Sequence, residues 1–363
     1  MKQKITILLL SALGTLVQFS CQAQNNGAII SLPVFIQNKI DSLYAKEKFP
    51  GILVAVRTAG KNEYYTAGYA QPENKKKFDS NTFFEAGSIT KTFTAYVLLS
   101  VLRDHQLSDT IGILSFLPDS VRQNKALEKI SFLKLMNHTS GLPRLPDNMT
   151  AKEDDLQPYE MYDSRLLFDY MKKAIPSDSK KSEYSNLGMA LAGVLAERIS
   201  GRSYAALLDK YIFLPLKIVN ADNSIEKSDN KSQGYITDTD KAVYWNMNVM
   251  APAGGLKCSA NEMLRYLSCM SKPIDKKTAA IIDSLLQPTT SLSNTMKVCR
   301  AWHTLQQKDK PVIYWHNGGT YGFSTFAAFL KDTDQAVMIV INKFDSNNIS
   351  DNLGFTIMKK MLE

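Results

Sequence analysis

The most informative stretch of the sequence reads FEAGSITK and covers residues 84–91. An apolar run at residues 92–102 follows it directly and predicts a helix. Gly87 permits a sharp turn into this helix, so Ser88 is expected at the helix N-terminus. There, free backbone N–H groups and the helix dipole favour a developing oxyanion. Lys91 comes three residues later and therefore lies on the same face, one turn further along. This arrangement predicts a nucleophilic serine with a basic neighbour.

The predicted environment of Lys91 favours the neutral amine. A cation near a helix N-terminus opposes the dipole, and apolar surroundings remove its hydration, so both effects lower the pKa of Lys91. A neutral amine can take the proton of Ser88. The alternative is an N-capping serine followed by a surface lysine. The bare Ser-x-x-Lys spacing does not decide between them. It recurs at Ser131/Lys134, Ser177/Lys180, Ser224/Lys227 and Ser228/Lys231.

A second candidate is the sequence Tyr-Ser-Asn at residues 184–186, which precedes a predicted helix at residues 187–200. A tyrosine near a lysine can carry a proton between nucleophile and leaving group, so Tyr184 is a candidate for that role. The amide of Asn186 can orient an acyl substituent. The alternative is that the asparagine caps the helix and the tyrosine packs, since residues 244–246 repeat the Tyr-x-Asn pattern.

A third candidate is the sequence His-Asn-Gly-Gly at residues 316–319, at the end of a predicted strand. Gly318 and Gly319 let the backbone approach a ligand closely and expose its N–H groups. The simpler interpretation is a strand that ends in a turn.

Composition narrows the function classes. The 363 residues are 44% hydrophobic and 21% charged, which is typical of a globular chain rather than a disordered or fibrous one. The formal net charge of +8 is spread along the sequence without a basic block among aromatic residues, so we expect no nucleic-acid partner. The G-x-S-x-G, H-E-x-x-H, Walker and G-x-G-x-x-G patterns do not occur. We therefore expect neither a metal nor a cofactor.

The first residues have the pattern of an export signal. Two lysines precede an apolar run at residues 5–19, which is too short to span a membrane, and small residues then permit cleavage after Ala23. Residues 1–23 are therefore predicted to be a signal peptide, and the mature protein to be periplasmic or secreted. The alternative is a lipoprotein anchored through Cys21. No later segment has the length and apolarity of a transmembrane helix.

Strand patterns lie at both ends of the chain and predict one antiparallel sheet. They cover residues 52–58, 62–69, 312–316, 324–330 and 336–341. Helices predicted at residues 33–46 and 351–362 would flank this sheet. We therefore predict an α+β fold with a sheet lobe from residues 24–82 and 311–363. Residues 83–310 would form a large, mostly helical inserted lobe, with the active site at the seam.

Taken in order, the three motifs resemble those of the serine β-lactamase and penicillin-binding protein superfamily. The resemblance is to its class C β-lactamase-like branch, which also contains D-alanyl-D-alanine carboxypeptidases, D-aminopeptidases and esterases. LMNHTSGLP at residues 135–143 and AGGL at residues 253–256 resemble further family patterns. The resemblance covers one domain, about residues 48–345, and implies the β-lactamase/transpeptidase-like fold.

The resemblance also implies a serine hydrolase that works through an acyl-enzyme. Ser88 would attack a carbonyl, Lys91 and Tyr184 would move the proton, and the N–H groups of Ser88 and Gly319 would form the oxyanion hole. The residues expected to bind substrate are Asn186, His316, Asn317, Gly318 and Gly319.

The substrate would be a small molecule or a peptidoglycan-derived peptide. His316 stands where a lysine holds the β-lactam carboxylate in typical class C enzymes, so we expect short esters or D-amino-acid peptides to be preferred to penicillins. The alternative function is a non-hydrolytic sensor that is acylated or binds ligand without turnover.

Overall fold

The structure of the chain is a computed structural model that describes residues 31–150, 155–179, 181–218 and 228–363. Leu32–Glu363 form one compact unit. The predicted signal peptide and Cys21 lie outside the described residues. None of the helices in the described ranges has the length and apolarity needed to cross a membrane.

Most strands of the described chain form one antiparallel sheet. The strands are β1 (Gly51–Thr58), β2 (Lys61–Gly68), β3 (Phe83–Glu85), β4 (Lys257–Ser259), β5 (Thr290–Ser291), β6 (Met296–Val298), β7 (His303–Leu305), β8 (Ile313–Gly319), β9 (Ser324–Leu330) and β10 (Gln335–Ile341). Eight of them form the sheet in the order β2-β1-β10-β9-β8-β7-β6-β5, and β3 pairs separately with β4. The two ends of the chain meet at the centre, where β1 pairs with β10. This confirms the predicted antiparallel sheet.

The helices divide between the two faces of this sheet. They are α1 (Leu32–Lys46), α2 (Thr90–Asp104), α3 (Asp119–Arg122), α4 (Phe132–Met136), α5 (Ser164–Met171), α6 (Asn186–Ser200), α7 (Tyr204–Leu208), α8 (Leu214–Leu216), α9 (Ala251–Gly254), α10 (Ala260–Ser271), α11 (Lys276–Leu286) and α12 (Asn347–Lys360). The terminal helices α1 and α12 cover one face, as predicted, and α10 packs on the other.

The position of strand β1 between two apolar cores explains why its sequence is apolar at consecutive positions. Successive side chains of a strand point to opposite faces of the sheet. Ile52 and Val54 belong to the core beneath α1 and α12, whereas Leu53 and Ala55 belong to the core shared with the helical part. Both faces are covered, so every position of the strand benefits from an apolar side chain.

The second segment of the chain that contributes strands to the sheet begins before residue 311, the boundary that the sequence suggested. Strands β5, β6 and β7 lie within residues 83–310, the range predicted to form the helical lobe, yet they extend the sheet beyond β8. Each has only two or three residues, which is too short for a periodic pattern. Pairing with the neighbouring strand, rather than local sequence, defines them.

Helix α2 lies at the centre of the helical part and packs against α6, α9 and α11. Its buried threonines are satisfied by backbone carbonyls. Thr92 Oγ1 donates to the Ile89 carbonyl at 2.8 Å, and Thr94 Oγ1 donates to the Pro252 carbonyl at 2.6 Å. Polar groups that are paired in this way can be buried without a large penalty. The helix can therefore be enclosed along nearly its whole length.

The contact of α12 with the sheet leads to a stability prediction. A Cβ atom added at Gly354 would lie 2.2 Å from the ring of Phe326 on β9. Gly354→Ala should therefore displace the helix and lower the free energy of unfolding by about 1–3 kcal/mol, the usual cost of overpacking. Urea unfolding measures this value. The control is Asn352→Ala on the exposed side of α12, which should have little effect, and equal losses in the two variants would contradict the prediction.

Candidate active site

Ser88 lies in a single 3-10 turn, Gly87–Ile89, which we call the nucleophile turn. Gly87 has φ +54°, a left-handed conformation that favours glycine. A Cβ atom at this position would lie 2.7 Å from the Gly319 backbone nitrogen. A Cβ atom at Gly318 would lie 3.0 Å from the Ser88 nitrogen and 2.1 Å from the Ala86 carbonyl oxygen. Glycines on both sides thus allow β8 to touch the nucleophile turn.

Through this contact the backbone nitrogen of Gly319 lies beside Gly87, and that of Ser88 lies beside Gly318. A second contact secures the turn from β9, where Thr325 Oγ1 donates to the Ala86 carbonyl at 3.0 Å. Asn347 Nδ2 donates to the Gly318 carbonyl at 2.8 Å and holds β8 from the side of α12. These contacts hold together the two segments that carry the predicted oxyanion donors, Ser88 and Gly319.

Lys91 is fully buried and lies directly beneath Ser88. Its Nζ atom is 3.0 Å from Ser88 Oγ and donates to the Ala253 carbonyl at 2.6 Å. Burial lowers the pKa of Lys91 well below its ordinary value, and the positive charge of Arg144 lowers it further. Both effects favour the neutral form of the amine, which is the form that can accept the serine proton.

Tyr184, the second residue predicted to move the proton, lies next to Lys91. The centre of its ring lies 4.7 Å from Lys91 Nζ, and the neighbouring Ser88 hydroxyl acts to lower the pKa of the phenol. Burial raises the pKa of Tyr184 to about 12, so the phenol keeps its proton at neutral pH. The two neighbours of Ser88 thus differ in chemistry, because Lys91 is suited to accept a proton and Tyr184 to donate one.

A cleft of about 520 Å³ opens above these groups. Its lining residues are Ser88, Arg144, Tyr159, Tyr184, Asn186, Trp245, Met247, Ala253, Gly254, Asn317, Gly318, Gly319, Thr320, Tyr321, Phe344 and Asn347. The structure therefore brings Ser88, Tyr184, Asn186, Asn317, Gly318 and Gly319 together in one cleft. Lys91 lies below its floor.

His316 does not line the cleft, although the sequence suggested a direct contact with substrate. The side chain points to the same face of β8 as Gly318, into the core, and is fully buried. His316 Nδ1 lies 2.5 Å from the Asn317 carbonyl oxygen, and the ring lies 6.5 Å from that of Tyr184. Burial lowers the pKa of His316 well below its ordinary value. The imidazole is therefore a neutral group behind Tyr184.

Asp351 on α12 holds the side chain of Asn317, a contact that the sequence did not suggest. Asn317 Nδ2 donates to Asp351 Oδ2 at 2.7 Å. Burial raises the pKa of Asp351 from 3.8 to about 6, although hydrogen bonds from Asn317 and Ser350 favour the charged form. The terminal helix thus fixes one residue of the third motif.

The residues that form the walls of the cleft were also not identified from the sequence. Tyr159, Trp245 and Tyr321 form a row of edge-to-face ring contacts, with centroids 5.1 and 4.9 Å apart. These residues come from separate loops, and only the fold brings them together. Arg144 directly follows the LMNHTSGLP stretch at residues 135–143, and this position was the one signal that could have identified it.

Comparison with known proteins agrees with this geometry. A family model described as Beta-lactamase matches residues 36–355. The chain is 27% identical over 343 residues to a Beta-lactamase from Escherichia coli (strain K12), covering 85% of this chain and 88% of that protein. The chain therefore belongs to the Beta-lactamase family, as the motifs indicated. It is a serine hydrolase of this family.

Two solved structures share the fold. A class C beta lactamase from Rhodobacter sphaeroides has a TM-score of 0.76 and 20% identity, covering 90% of this chain and 99% of that chain. A Beta-Lactamase/D-Alanine Carboxypeptidase from Pseudomonas syringae has a TM-score of 0.76 and 22% identity, covering 91% of this chain and 99% of that chain. The predicted β-lactamase/transpeptidase-like fold is thus confirmed.

The buried amine leads to a prediction about acylation. Lys91→Arg places a guanidinium beneath Ser88, and this group stays protonated and cannot act as a base. The rate of Ser88 acylation, measured with a chromogenic ester or a fluorophosphonate, should fall about 10²–10⁴-fold, the usual contribution of a general base. Lys134→Arg is the matched control in another Ser-x-x-Lys pair, because Lys134 Nζ is exposed and donates to the Lys129 carbonyl at 2.8 Å. Similar acylation rates in the two variants would make Lys91 a structural residue.

The carboxyl group of Asp351 leads to a prediction about pH. Its pKa is about 6 in the folded chain and 3.8 ordinarily, so the folded chain binds this proton more tightly. The contribution of Asp351 to the free energy of unfolding is therefore complete below pH 3.8 and is lost as the pH rises through 6. Asp351→Asn removes this titration.

Urea unfolding at several pH values measures the effect. The free energy of unfolding of the wild type, relative to Asp351→Asn, should fall across this interval. Asn352→Ala removes no titratable group and should run parallel to the wild type at every pH. A difference between wild type and Asp351→Asn that stays constant with pH would show that Asp351 titrates normally.

Proposed function

We propose that this protein is an exported hydrolase that cleaves an ester or amide bond through an acyl-enzyme on Ser88. The observation that carries the proposal is the hydrogen-bonding environment of the Lys91 amine. Its amine is enclosed between Ser88 Oγ at 3.0 Å and the Ala253 carbonyl at 2.6 Å. No carboxylate in the described residues pairs with it. A lysine held in this way is a base rather than a partner in an ion pair.

The proposed cycle has two halves. Ser88 Oγ attacks the substrate carbonyl carbon while Lys91 Nζ takes the hydroxyl proton, and the N–H groups of Ser88 and Gly319 stabilise the negative carbonyl oxygen. The tetrahedral intermediate then collapses, and the leaving group receives a proton from Tyr184, which Lys91 reprotonates. In the second half, a water attacks the acyl-enzyme and its proton returns through the same groups. Ser88 is restored as the acid product leaves.

The side chains of the cleft bear on the substrate class. Asn186 has an amide suited to orient the acyl group, and Asn317 is positioned by Asp351. The buried, neutral His316 supplies no permanent cation at this end of β8, which favours esters or D-amino-acid peptides over penicillins. Export, periplasmic or secreted, rests on the pattern of residues 1–23, and it would bring the cleft to small-molecule or peptidoglycan-derived substrates.

Active-site labelling combined with turnover tests the proposal. The protein should hydrolyse one or more of short p-nitrophenyl esters, D-alanyl peptides and nitrocefin continuously. A fluorophosphonate should label Ser88 alone. Ser88→Ala should abolish both labelling and turnover, because no other serine contacts Lys91 in the described chain.

Ser131→Ala is the matched control. Ser131 belongs to another Ser-x-x-Lys pair, but its side chain caps α4 by accepting from the Lys134 backbone N–H. This variant should lose about 1 kcal/mol of stability and keep the label. A label on any other serine would refute the assignment. A single stoichiometric burst without further turnover would instead identify the non-hydrolytic sensor.

A further inference from the structure

Arg144 is the one charged residue among the described residues that line the cleft. Its backbone carbonyl accepts hydrogen bonds from the N–H groups of Asn186 at 3.0 Å and Leu187 at 3.2 Å. Arg144 is thereby fixed to the first turn of α6, beside the residue expected to orient the acyl group.

The side chain of Arg144 extends over the catalytic tyrosine. The guanidinium carbon lies 5.3 Å from the centre of the Tyr184 ring, and the residue is exposed to solvent. No carboxylate of the described residues forms an ion pair with it, and every other side chain in the cleft wall is uncharged. The cleft therefore contains a permanent cation whose charge the described part of the protein does not neutralise.

A guanidinium has the geometry to recognise one particular chemical group. Its planar fork can form two parallel hydrogen bonds to a carboxylate, and stacking on the Tyr184 ring limits its orientations. The aromatic row of Tyr159, Trp245 and Tyr321 borders the same cleft and supplies a largely apolar surface on one side. A substrate arm that combines an apolar stem with a terminal carboxylate complements both features.

We propose that Arg144 is the specificity-determining residue of this cleft and that preferred substrates carry a carboxylate on the acyl side. This inference rests on the proposed function. We assign the carboxylate to the acyl side because the backbone of Arg144 is hydrogen-bonded to that of Asn186, the residue expected to orient the acyl group. The substrate class is thus a monoester or monoamide of a dicarboxylic acid, including peptides whose acyl residue has a free side-chain carboxylate.

Matched esters test the proposal. The probes are p-nitrophenyl hydrogen glutarate, its methyl-capped neutral counterpart, and the acetate ester of 4-hydroxybenzoate, which carries the carboxylate on the leaving group. The wild type should show a kcat/KM ratio of glutarate to capped ester of about ten or more. Arg144→Met should lower this ratio about 10–100-fold, the scale of a charge-assisted pair of hydrogen bonds. Arg144→Lys should restore part of it.

The control for net charge is Arg202→Met, an exposed residue just beyond the other end of α6, which should keep the wild-type ratio. An unchanged ratio in Arg144→Met would overturn the inference while the hydrolysis itself stands. A preference for the 4-hydroxybenzoate ester that depends on Arg144 would overturn the acyl-side assignment.

A binding measurement distinguishes a failure of this inference from a failure of the proposed function. Glutarate monoamide should protect Ser88 from a fluorophosphonate in the wild type, and the protection should weaken about 10–100-fold in Arg144→Met. If the protection depends on Arg144 but no ester is turned over, the proposed function would be overturned and the anion site would be supported. Equal protection in both proteins would overturn the anion site.

Discussion

The contact between the nucleophile turn and strand β8 is the constraint on which the rest of the structure depends. It joins the sheet to the helical part through backbone atoms, and glycines at residues 87 and 318 are what make the approach short enough. A side chain at either position would push the nucleophile turn and β8 apart. The side chains of Thr325 and Asn347 donate hydrogen bonds to backbone carbonyls on the two sides of this contact and stabilise it. The geometry of catalysis is thus set by backbone packing, and the side chains add the chemistry.

The helical part provides the dry environment that this chemistry needs. Helix α2 is enclosed by α6, α9 and α11, and its threonines are satisfied by local carbonyls, so the helix carries few polar groups that require water. Lys91 is buried as a consequence, and the carbonyl of Ala253 gives its amine one hydrogen bond without a negative charge. A carboxylate in place of that carbonyl would hold the proton on the amine and prevent its action as a base.

Local patterns predicted the features that local interactions determine. The turn before α2, the Ser88–Lys91 pair and the long apolar strands were all identified in this way. The burial of His316 was not, because its motif position says nothing about which face of β8 is covered. Strands β5 to β7 were too short to show a period, and Arg144 and Asp351 act through contacts with distant segments. These contacts depend on the tertiary fold, which one sequence without the structure does not reveal.

The central pairing of β1 with β10 has a consequence for how the enzyme matures. Strand β10 separates β1 from β9, so the sheet closes only when nearly the whole chain is present. Contacts between such distant segments form late and slowly, because the intervening loop must be ordered first. Ser88 is made early in synthesis, and Gly319 on β8 follows more than two hundred residues later. The contact between the nucleophile turn and β8 therefore forms late, and a chain that ends before β8 contains Ser88 without the strand that borders its cleft.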